Sequence, residues 1–348
     1  MSLFRPAIDR LTGYVPGRQP TTGTRVVKLN TNENPYPPSP RALAALQTFE
    51  ADELRRYPQP LADEFRTAAA DTLAIDPSWI LPGNGSDDLL TMLVRALTGP
   101  GRAVVYPTPT YVLYRTLAGI QDAPVLEVPF NDRFDLPTDA LASAGGALTF
   151  VANPNSPSGT VVEADTLATL ADALDGLLVI DEAYVAFATH DAVQLVQQRP
   201  NVVVLRTLSK SHGLAGLRLG FAVAHPNVIA GLIKVKDSYN VDAVASRVGA
   251  AAIRDVVYTK TVVDRIITNR TKLASALERL GCQVWPSQAN FLLVRPPDGD
   301  AVRVYRELET AGVLVRYFDD PPLRETLRVS IGTADDHVAL LQALDTIL

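Results

Sequence analysis

The sequence predicts an α/β fold made of a large domain with a mainly parallel sheet and a smaller α+β domain. Three observations support this prediction. The chain has 348 residues, more than one ordinary domain needs, and 47% of them are hydrophobic, which is enough for a large buried core. Between about residues 60 and 235, short β-branched runs alternate with helical segments, a pattern typical of a parallel sheet covered on both faces.

The N-terminal segment, residues 1–40, is rich in Pro, Gly, Asn and Thr, and this composition predicts an extended arm. A helical pattern follows from Arg41 to Phe49. Helices are also predicted over residues 62–74 and 86–98, the second of which starts at a Ser/Asp cap.

Buried strands are predicted where four short apolar runs follow one another. These runs are residues 103–107, 147–153, 177–182 and 201–207. Helical segments such as residues 163–174 separate the later runs. We assign these elements and the helices before them to a large domain spanning residues 41–240.

The last third of the chain, residues 241–348, is predicted to form the smaller domain. Its predicted elements are a long helical region, a strand, a helix and a second strand, at residues 249–281, 290–295, 302–312 and 327–332. We expect the N-terminal arm to join this domain and to bring residues near Tyr14 and Asn30 to the domain junction. Clefts at such junctions are common binding sites for small ligands.

Composition and charge exclude several classes of function. The formal net charge of −6 gives no electrostatic reason to expect nucleic acid or an anionic membrane as a partner. Cys282 is the one cysteine, which excludes an internal disulfide, and the four histidines lack the spacing of metal ligands, so we expect no metal site. No run resembles a signal peptide or a membrane helix of about 20 apolar residues, and we expect a cytoplasmic protein.

The segment TLSKSHGLAGLRLG, residues 207–220, directly follows a predicted strand and contains Lys210. Lys210 is therefore expected at the carboxyl end of a strand, where α/β sheets bind ligands. The hydroxyl groups of Thr207 and Ser209, the glycine-rich backbone and the guanidinium of Arg218 suit a phosphate dianion. A lysine beside such a pocket can form a Schiff base with a phosphate-bearing aldehyde, pyridoxal 5'-phosphate (PLP). Taken alone, the motif is equally compatible with a lysine that faces solvent.

Asp181 ends the apolar strand LLVID. A buried carboxylate costs several kcal/mol unless it is paired, so this position requires a partner. The pyridinium nitrogen of PLP would be such a partner, and Tyr184 could donate a hydrogen bond to the phenolic oxygen of the ring. The alternative is that Asp181 and Glu182 only cap a helix.

Two further turns and one aromatic residue are expected near the same edge of the sheet. The turn GNGSD, residues 83–87, opens a helix whose first backbone N–H groups form an anion site. Its candidate contacts are Gly85, Ser86 and Asp87. Tyr111 offers a ring for stacking on a cofactor. The turn NPNSPSG, residues 153–159, again follows a predicted strand, so four features converge on the carboxyl ends of the strands.

These motifs, in this order, resemble the fold-type I PLP enzymes, and among them the aminotransferases of classes I and II. The resemblance covers nearly the whole chain. Within this family the chain is most similar to the histidinol-phosphate aminotransferases. The segments that carry the narrower similarity are LTGYVPGRQ (11–19), KLNTNENPYPPSP (28–40), RRYPQP (55–60), GNGSDDLL (83–90), PTYVLY (109–114), DEAY (181–184), TLSKSHGLAGLRLGF (207–221), QANFLLVR (288–295) and LRVSIGT (327–333).

The resemblance implies a seven-stranded sheet in the large domain and a PLP cofactor joined to Lys210. It implies that Lys210 moves the proton between substrate and cofactor, that Asp181 pairs with the pyridinium nitrogen, and that Tyr184 contacts the phenolic oxygen. The other cofactor contacts that it implies are Gly85, Ser86, Asp87, Tyr111, Thr207, Ser209, Arg218 and, from the neighbouring subunit of a homodimer with shared active sites, Tyr57.

The resemblance also implies a substrate site and a reaction. Arg328 matches the arginine that binds a carboxylate in general aminotransferases and that faces the substrate phosphate in the histidinol-phosphate branch. The other implied substrate contacts are Tyr14, Asn290 and Arg316. The implied reaction is transamination of L-histidinol phosphate with 2-oxoglutarate, which gives imidazole-acetol phosphate and glutamate in histidine biosynthesis.

Two departures from the family pattern lie near the expected site. Where the family turn has Asn before Pro-Thr-Gly, this chain has Ser156, and either Asn155 or Ser156 is expected to replace the usual hydrogen bond to the cofactor. Where many members carry Arg-Pro-Met, this chain has Arg316-Tyr317-Phe318, close to the substrate.

Three alternatives stay open on the sequence alone. An aromatic or broad-specificity aminotransferase shares the cofactor motifs, and a threonine-phosphate-type decarboxylase shares the arm and the lysine motif. Product analysis separates the two, because a decarboxylase releases CO₂ and needs no oxo acid. The third alternative, a PLP-binding regulatory module, is disfavoured because the chain has no separate DNA-binding segment. A plain nucleotide-binding protein is disfavoured because neither a Walker A loop nor a G-x-G-x-x-G motif follows a predicted strand.

Overall fold

The computed structural model describes residues 2–13, 17–20 and 26–348. Its strands are β1 (Val27–Lys28), β2 (Ile80–Gly83), β3 (Val104–Thr108), β4 (Val125–Pro129), β5 (Leu148–Ala152), β6 (Leu177–Asp181), β7 (Val202–Thr207), β8 (Gly220–Ala224), β9 (Gln283–Val284), β10 (Phe291–Arg295), β11 (Val313–Leu314), β12 (Arg316–Tyr317) and β13 (Leu327–Ser330).

The helices connect these strands and cover both faces of the main sheet. The α-helices are α1 (Pro6–Asp9), α2 (Pro40–Leu46), α3 (Ala51–Leu54), α4 (Asp63–Leu73), α5 (Ser86–Leu97), α6 (Leu113–Ile120), α7 (Thr138–Ser143), α8 (Ala164–Ala173), α9 (Val193–Gln198), α10 (Pro226–Ile233), α11 (Ala243–Arg254), α12 (Val256–Arg279), α13 (Ala301–Thr310) and α14 (Ala334–Ile347). Short 3-10 helices lie at Pro77–Trp79, Val185–Phe187, Ala215–Leu217 and Pro321–Leu323. In the described ranges, no helix has the length and apolar character needed to cross a membrane.

The largest sheet of the described chain has seven strands in the order β2-β8-β7-β6-β5-β3-β4. Neighbouring strands from β4 to β7 are parallel, while β8 runs antiparallel to both β7 and β2. The four strands predicted between residues 103 and 207 are present as β3, β5, β6 and β7. The prediction of a mainly parallel sheet between helices is therefore confirmed.

Two apolar layers cover the two faces of this sheet. One layer contains Phe65 of α4 and Val248 of α11, and the other contains Leu93 of α5 and Tyr114 of α6. Consecutive residues of the central strand β7 alternate between the two layers, as the alternation of side chains along a strand requires. Both faces of the sheet are thus buried, and ligands can reach it only at an edge or at the strand ends.

A third core belongs to the smaller domain and includes Ile266 of α12 and Leu292 of β10. The antiparallel sheet of this domain has the order β12-β13-β10-β9, and β1 of the arm pairs in parallel with β11. The region predicted as one long helical stretch is divided, because the backbone of Asp255 (ψ 60°) leaves the helical conformation between α11 and α12. Since α11 packs in the large core and α12 in the third, we propose that the domains meet at Asp255 rather than at residue 240.

Candidate active site

A cavity of about 420 Å³ lies at the carboxyl ends of β5, β6 and β7, where the small domain covers the sheet. This volume is in the range of small-molecule sites, about 300–1,000 Å³. The sequence-predicted residues that line it are Ser86, Asp87, Tyr111, Ser156, Asp181, Tyr184, Thr207, Ser209, Lys210, Arg218, Arg316 and Arg328. The structure therefore brings the four strand-end features together in one cavity.

Lys210 lies three residues after the end of β7, in a turn fixed by hydroxyl groups. The Thr207 hydroxyl accepts the Ser209 backbone N–H at 3.2 Å and donates to the Ser209 Oγ at 3.0 Å. The Lys210 Nζ donates to the carbonyl oxygen of Thr31 at 3.4 Å and lies 5.7 Å from the centre of the Tyr184 ring. The lysine amine is thus held in the cavity, between the arm and the large domain.

Asp181 is buried at the end of β6 and accepts two hydrogen bonds. The Tyr114 hydroxyl donates to one carboxylate oxygen at 2.8 Å, and the Ala183 backbone N–H donates to the other at 3.1 Å. Burial raises the pKa of Asp181 to about 6, although both hydrogen bonds act to lower it. A cation next to this carboxylate would favour its charged form, so the site is suited to a positively charged ring.

Tyr114, which lies in the family segment PTYVLY but has no predicted role, completes this part of the site. Its ring is fully buried and stacks on Phe150 with ring centroids 4.5 Å apart, and burial raises the pKa of its hydroxyl well above the usual value. It therefore acts as a hydrogen-bond donor to Asp181. The sequence feature that could have identified Tyr114 is its position three residues after Tyr111, at the start of α6. The two rings are in edge-to-face contact there.

Tyr184 is positioned by the arm and by the small domain. Its phenolic oxygen accepts a hydrogen bond from the Asn32 Nδ2 at 3.0 Å, and its ring packs edge-to-face on Phe291 at 5.0 Å. Asn32 is buried with a positive φ of 56°, a conformation that asparagine tolerates better than most residues. The sequence had placed Asn32 in a family segment without assigning it a role.

Arg218 and the start of α5 line one end of the cavity, and Gly85, which does not line it, lies next to the Arg218 guanidinium. Arg218 donates to Asp87 at 3.1 Å, and a Cβ added at Gly85, which has φ +80°, would lie 2.8 Å from an Arg218 guanidinium nitrogen. The positive φ favours glycine there, and a side chain would also displace the end of Arg218. The first N–H groups of α5, at Ser86 and Asp87, lie beside this guanidinium, so the end of the cavity is suited to an anion.

The two polar residues of the turn after β5 have different surroundings. The Asn155 side chain accepts from Thr110 at 2.8 Å and donates to the Ser158 Oγ at 2.9 Å, and it does not line the cavity. Ser156 lines the cavity, and its Oγ accepts a hydrogen bond from Arg328 at 3.1 Å. Of the two candidates for a cavity contact, Ser156 is the one that the structure brings to the site.

Arg316 and Arg328 form the opposite wall of the cavity. They are direct register partners in β12 and β13, and Arg328 also donates to the Asn30 carbonyl oxygen at 3.2 Å. Asn290 was expected to contact the substrate, but its side chain is buried behind the wall and donates to the Asn32 carbonyl oxygen at 3.0 Å. The expected contact of Tyr14 lies outside the described residues.

Tyr57 does not belong to this cavity of its own chain. It is 82% exposed and stacks on Tyr239 with ring centroids 4.6 Å apart, in a separate groove with Glu53 and Arg247. Its expected contact with a cofactor therefore requires a second subunit.

Comparison with known proteins identifies close relatives. A family model described as aminotransferase class I and II matches residues 24–344. The chain is 52% identical to histidinol-phosphate aminotransferase 1 of Trichormus variabilis, over 99% of both chains, and 46% identical to the histidinol-phosphate aminotransferase of Rhodopirellula baltica, over 95% of this chain and 92% of that one. Among solved structures, the histidinol-phosphate aminotransferase of Sinorhizobium meliloti in complex with pyridoxal-5'-phosphate is similar with a TM-score of 0.92 and 28% identity, covering 100% of this chain and 98% of that chain.

Proposed function

The chain belongs to the aminotransferases of classes I and II, and on that premise we propose that it transfers the amino group of L-histidinol phosphate to 2-oxoglutarate. The products are imidazole-acetol phosphate and glutamate, and the reaction is a step of histidine biosynthesis. The 52% identity to a histidinol-phosphate aminotransferase over nearly the full length supports the choice of donor. The choice of acceptor follows from the family resemblance, since an aminotransferase needs an oxo acid to take up the amino group.

The observation that carries this proposal is the pair of arginines on one wall of the cavity. Arg316 and Arg328 are direct partners on the neighbouring strands β12 and β13, and both line the same cavity as Lys210. Like charges directly opposite each other destabilise a sheet, so this pair favours an anion that contacts both side chains. A phosphate dianion meets this requirement, because each guanidinium presents a fork of N–H donors that matches phosphate oxygens.

We propose pyridoxal 5'-phosphate as the cofactor, and the residues of the cavity fit it. The buried carboxylate of Asp181, with its pKa raised to about 6, is suited to the positively charged ring nitrogen. Tyr184 would contact the phenolic oxygen and Tyr111 the face of the ring, while Ser209, Arg218 and the start of α5 would hold the phosphate. When bound, the cofactor withdraws electrons from the substrate carbon and so makes the loss of its proton feasible.

We propose that Lys210 moves the proton in each half of the reaction. Lys210 would hold the cofactor covalently until the substrate binds, and its free Nζ would then accept the proton of the substrate carbon that carries the amino group, as a general base. The Thr31 carbonyl oxygen, 3.4 Å from Nζ, keeps the amine inside the cavity. In the second half of the reaction Lys210 would deliver a proton to the carbon of 2-oxoglutarate that receives the amino group.

We further propose a homodimer with shared active sites. The ring of Tyr57 is exposed and does not line the cavity of its own chain, so it is available to a second copy of the chain. In that arrangement the Tyr57 hydroxyl would reach the cofactor phosphate of the neighbouring subunit. The cytoplasmic location remains a prediction.

A half-reaction on the purified, PLP-loaded protein tests the proposed function. We expect histidinol phosphate, added without an oxo acid, to abolish the visible absorption of the cofactor and to yield imidazole-acetol phosphate. Addition of 2-oxoglutarate should then restore the absorption. A response to aromatic amino acids alone would assign the chain to the aromatic aminotransferases, and CO₂ release without an oxo acid would assign it to the decarboxylases. Absence of a visible cofactor band would contradict the role of Lys210.

A further inference from the structure

We propose that Phe318 is a positioning residue that holds the two cavity arginines toward the bound anion. The centre of the Phe318 ring lies 5.4 Å from the Cζ of Arg316 and 5.4 Å from the Cζ of Arg328. One aromatic ring thus contacts two cations. This inference deepens the proposed function, on which it rests for the identity of the phosphate-bearing donor.

The strand geometry explains how one ring reaches both arginines. Phe318 follows Arg316 by two residues, so in extended backbone both side chains project from the same face, and Tyr317 projects from the other. Arg328 lies directly opposite Arg316 on the neighbouring strand. Phe318 is therefore diagonal to Arg328, a separation that aromatic and long side chains can bridge.

Arg328 has a second ring on its other side, in the central strand β10. The Phe291 ring centre lies 5.2 Å from the Arg328 Cζ, and Phe291 is also diagonal to Arg328, whose register partner is Leu293. Phe291 is fully buried, whereas Phe318 is half-buried beside the cavity. Of the two rings, Phe318 is therefore the one that can be replaced without opening the core.

The charges explain why such a ring is needed. Two guanidinium groups on one face of a sheet repel each other. The electron-rich face of an aromatic ring attracts each cation and offsets part of this repulsion. An aliphatic side chain at position 318 would fill similar space without this attraction, so the ring contact shared by both arginines would be lost.

The experiment compares Phe318→Leu with Phe318→Tyr in the holoenzyme. Steady-state kinetics with histidinol phosphate give KM and kcat, and calorimetric titration with inorganic phosphate gives the Kd of the anion alone. We expect Phe318→Leu to raise both KM and the phosphate Kd by about three- to tenfold, with kcat changed by less than about twofold. Phe318→Tyr keeps the ring, and both values should stay within about twofold of wild type.

Tyr317→Leu is the matched control. It removes an aromatic ring from the adjacent position, but this ring stacks on Tyr305, with centroids 5.9 Å apart, on the opposite face. We expect a lower melting temperature and an unchanged phosphate Kd. Three outcomes would each overturn the role of Phe318. They are an equal rise in phosphate Kd in Tyr317→Leu, no rise in Phe318→Leu, and no phosphate binding by the wild-type holoenzyme.

This inference and the proposed function fail in different ways. If the wild-type protein does not convert histidinol phosphate, the choice of donor is wrong, and the phosphate titration still tests Phe318. If the wild type converts the donor and Phe318→Leu binds phosphate as tightly as wild type, the proposed function stands and Phe318 has no positioning role.

Discussion

The floor of the cavity and its arginine wall are held in place by different kinds of structure. Asp181 and Lys210 follow two central strands of a seven-stranded sheet, which are fixed by paired neighbours on both sides. Arg316 lies in β12, a two-residue strand at the edge of a four-stranded sheet. Pairing on both sides therefore fixes the strands of the floor and also β13, which carries Arg328, whereas the position of Arg316 depends more on contacts between side chains. We expect substitutions in the floor to change the chemistry and substitutions in the wall to change the binding of substrate.

Replacement of the lysine should give the largest effect. We expect Lys210→Ala to lower kcat by about 10⁴-fold or more, because both the covalent link and the general base are lost. The Kd of inorganic phosphate should stay near that of wild type, since the arginine wall is intact. Stopped-flow turnover and calorimetry measure the two values. Lys260→Ala, at a 73% exposed lysine paired with Asp264, is the control and should turn over normally.

Asp181→Asn should have the next largest effect. The substitution keeps the size of the side chain and removes the charge that would pair with the cofactor ring, so we expect kcat/KM to fall about 10²- to 10³-fold. Wild-type kcat/KM retained in this variant would contradict a role of Asp181 in stabilising the ring. Phosphate binding should again be unaffected.

The raised pKa of Asp181 also gives the sign of a pH dependence. The side chain is uncharged in the apoprotein below a pH of about 6, where an ordinary aspartate is still ionised. Because a cation binds the charged form, the affinity of the apoprotein for PLP should fall as pH is lowered through about 6, by up to about tenfold per pH unit. Fluorescence titrations of the apoprotein with PLP at several pH values should show a weaker dependence of the affinity on pH for Asp181→Asn than for wild type. An equal dependence of the PLP affinity on pH in the two proteins would mean that a group other than Asp181 causes it.

In the wall, Arg328→Lys should raise the KM for histidinol phosphate by about 10- to 100-fold with a smaller change in kcat. Lysine keeps the charge but loses the planar fork of donors that contacts Ser156 and Asn30. Arg324→Lys, at an exposed arginine paired with Asp319, serves as the control and should behave as wild type. A large fall in kcat for Arg328→Lys at saturating donor would mean that the wall contributes to the chemical step and not only to substrate binding.

Ser156→Ala should give the smallest effect in this series. It removes the hydroxyl group that accepts a hydrogen bond from Arg328 at 3.1 Å, and we expect the donor KM to rise about two- to fivefold. The absorption spectrum of the bound cofactor should remain that of the wild type. A shifted spectrum with an unchanged KM would instead indicate that Ser156 contacts the cofactor, as the family asparagine does.

The parts of the fold that could be predicted from the sequence are those with a continuous pattern. Strands β3, β5, β6 and β7 are apolar runs between polar turns, and their alternation with helices was sufficient to identify the sheet. The short strand β2 contains Pro82 and Gly83, and the edge strand β4 exposes Leu126 and Glu127, so neither shows such a pattern. The order of the strands follows from pairing between distant segments, which periodicity does not record.

The candidate site shows the same division. Lys210 and Asp181 could be located from the sequence because Asp181 ends a recognisable strand and Lys210 lies three residues after another. Tyr114 and Asn32 were missed because their contacts, to Asp181 and Tyr184, connect segments 67 and 152 residues apart. The spacing of Tyr114 from Tyr111 indicates that the two rings are neighbours, but it does not specify the contact with Asp181, and nothing local specifies the contact of Asn32.

The pairing of β12 with β13 also limits where the chain can change in length. Since side chains alternate along a strand, inserting one residue just before Arg316 would turn this arginine away from the cavity and point Tyr317 into it. The mostly exposed connection from residue 319 to residue 325 carries no such constraint. Insertions and deletions should therefore be tolerated between the two strands, whereas selection should remove them at Arg316. Variation in loop length among descendants of this protein would then leave its recognition of the anion unchanged.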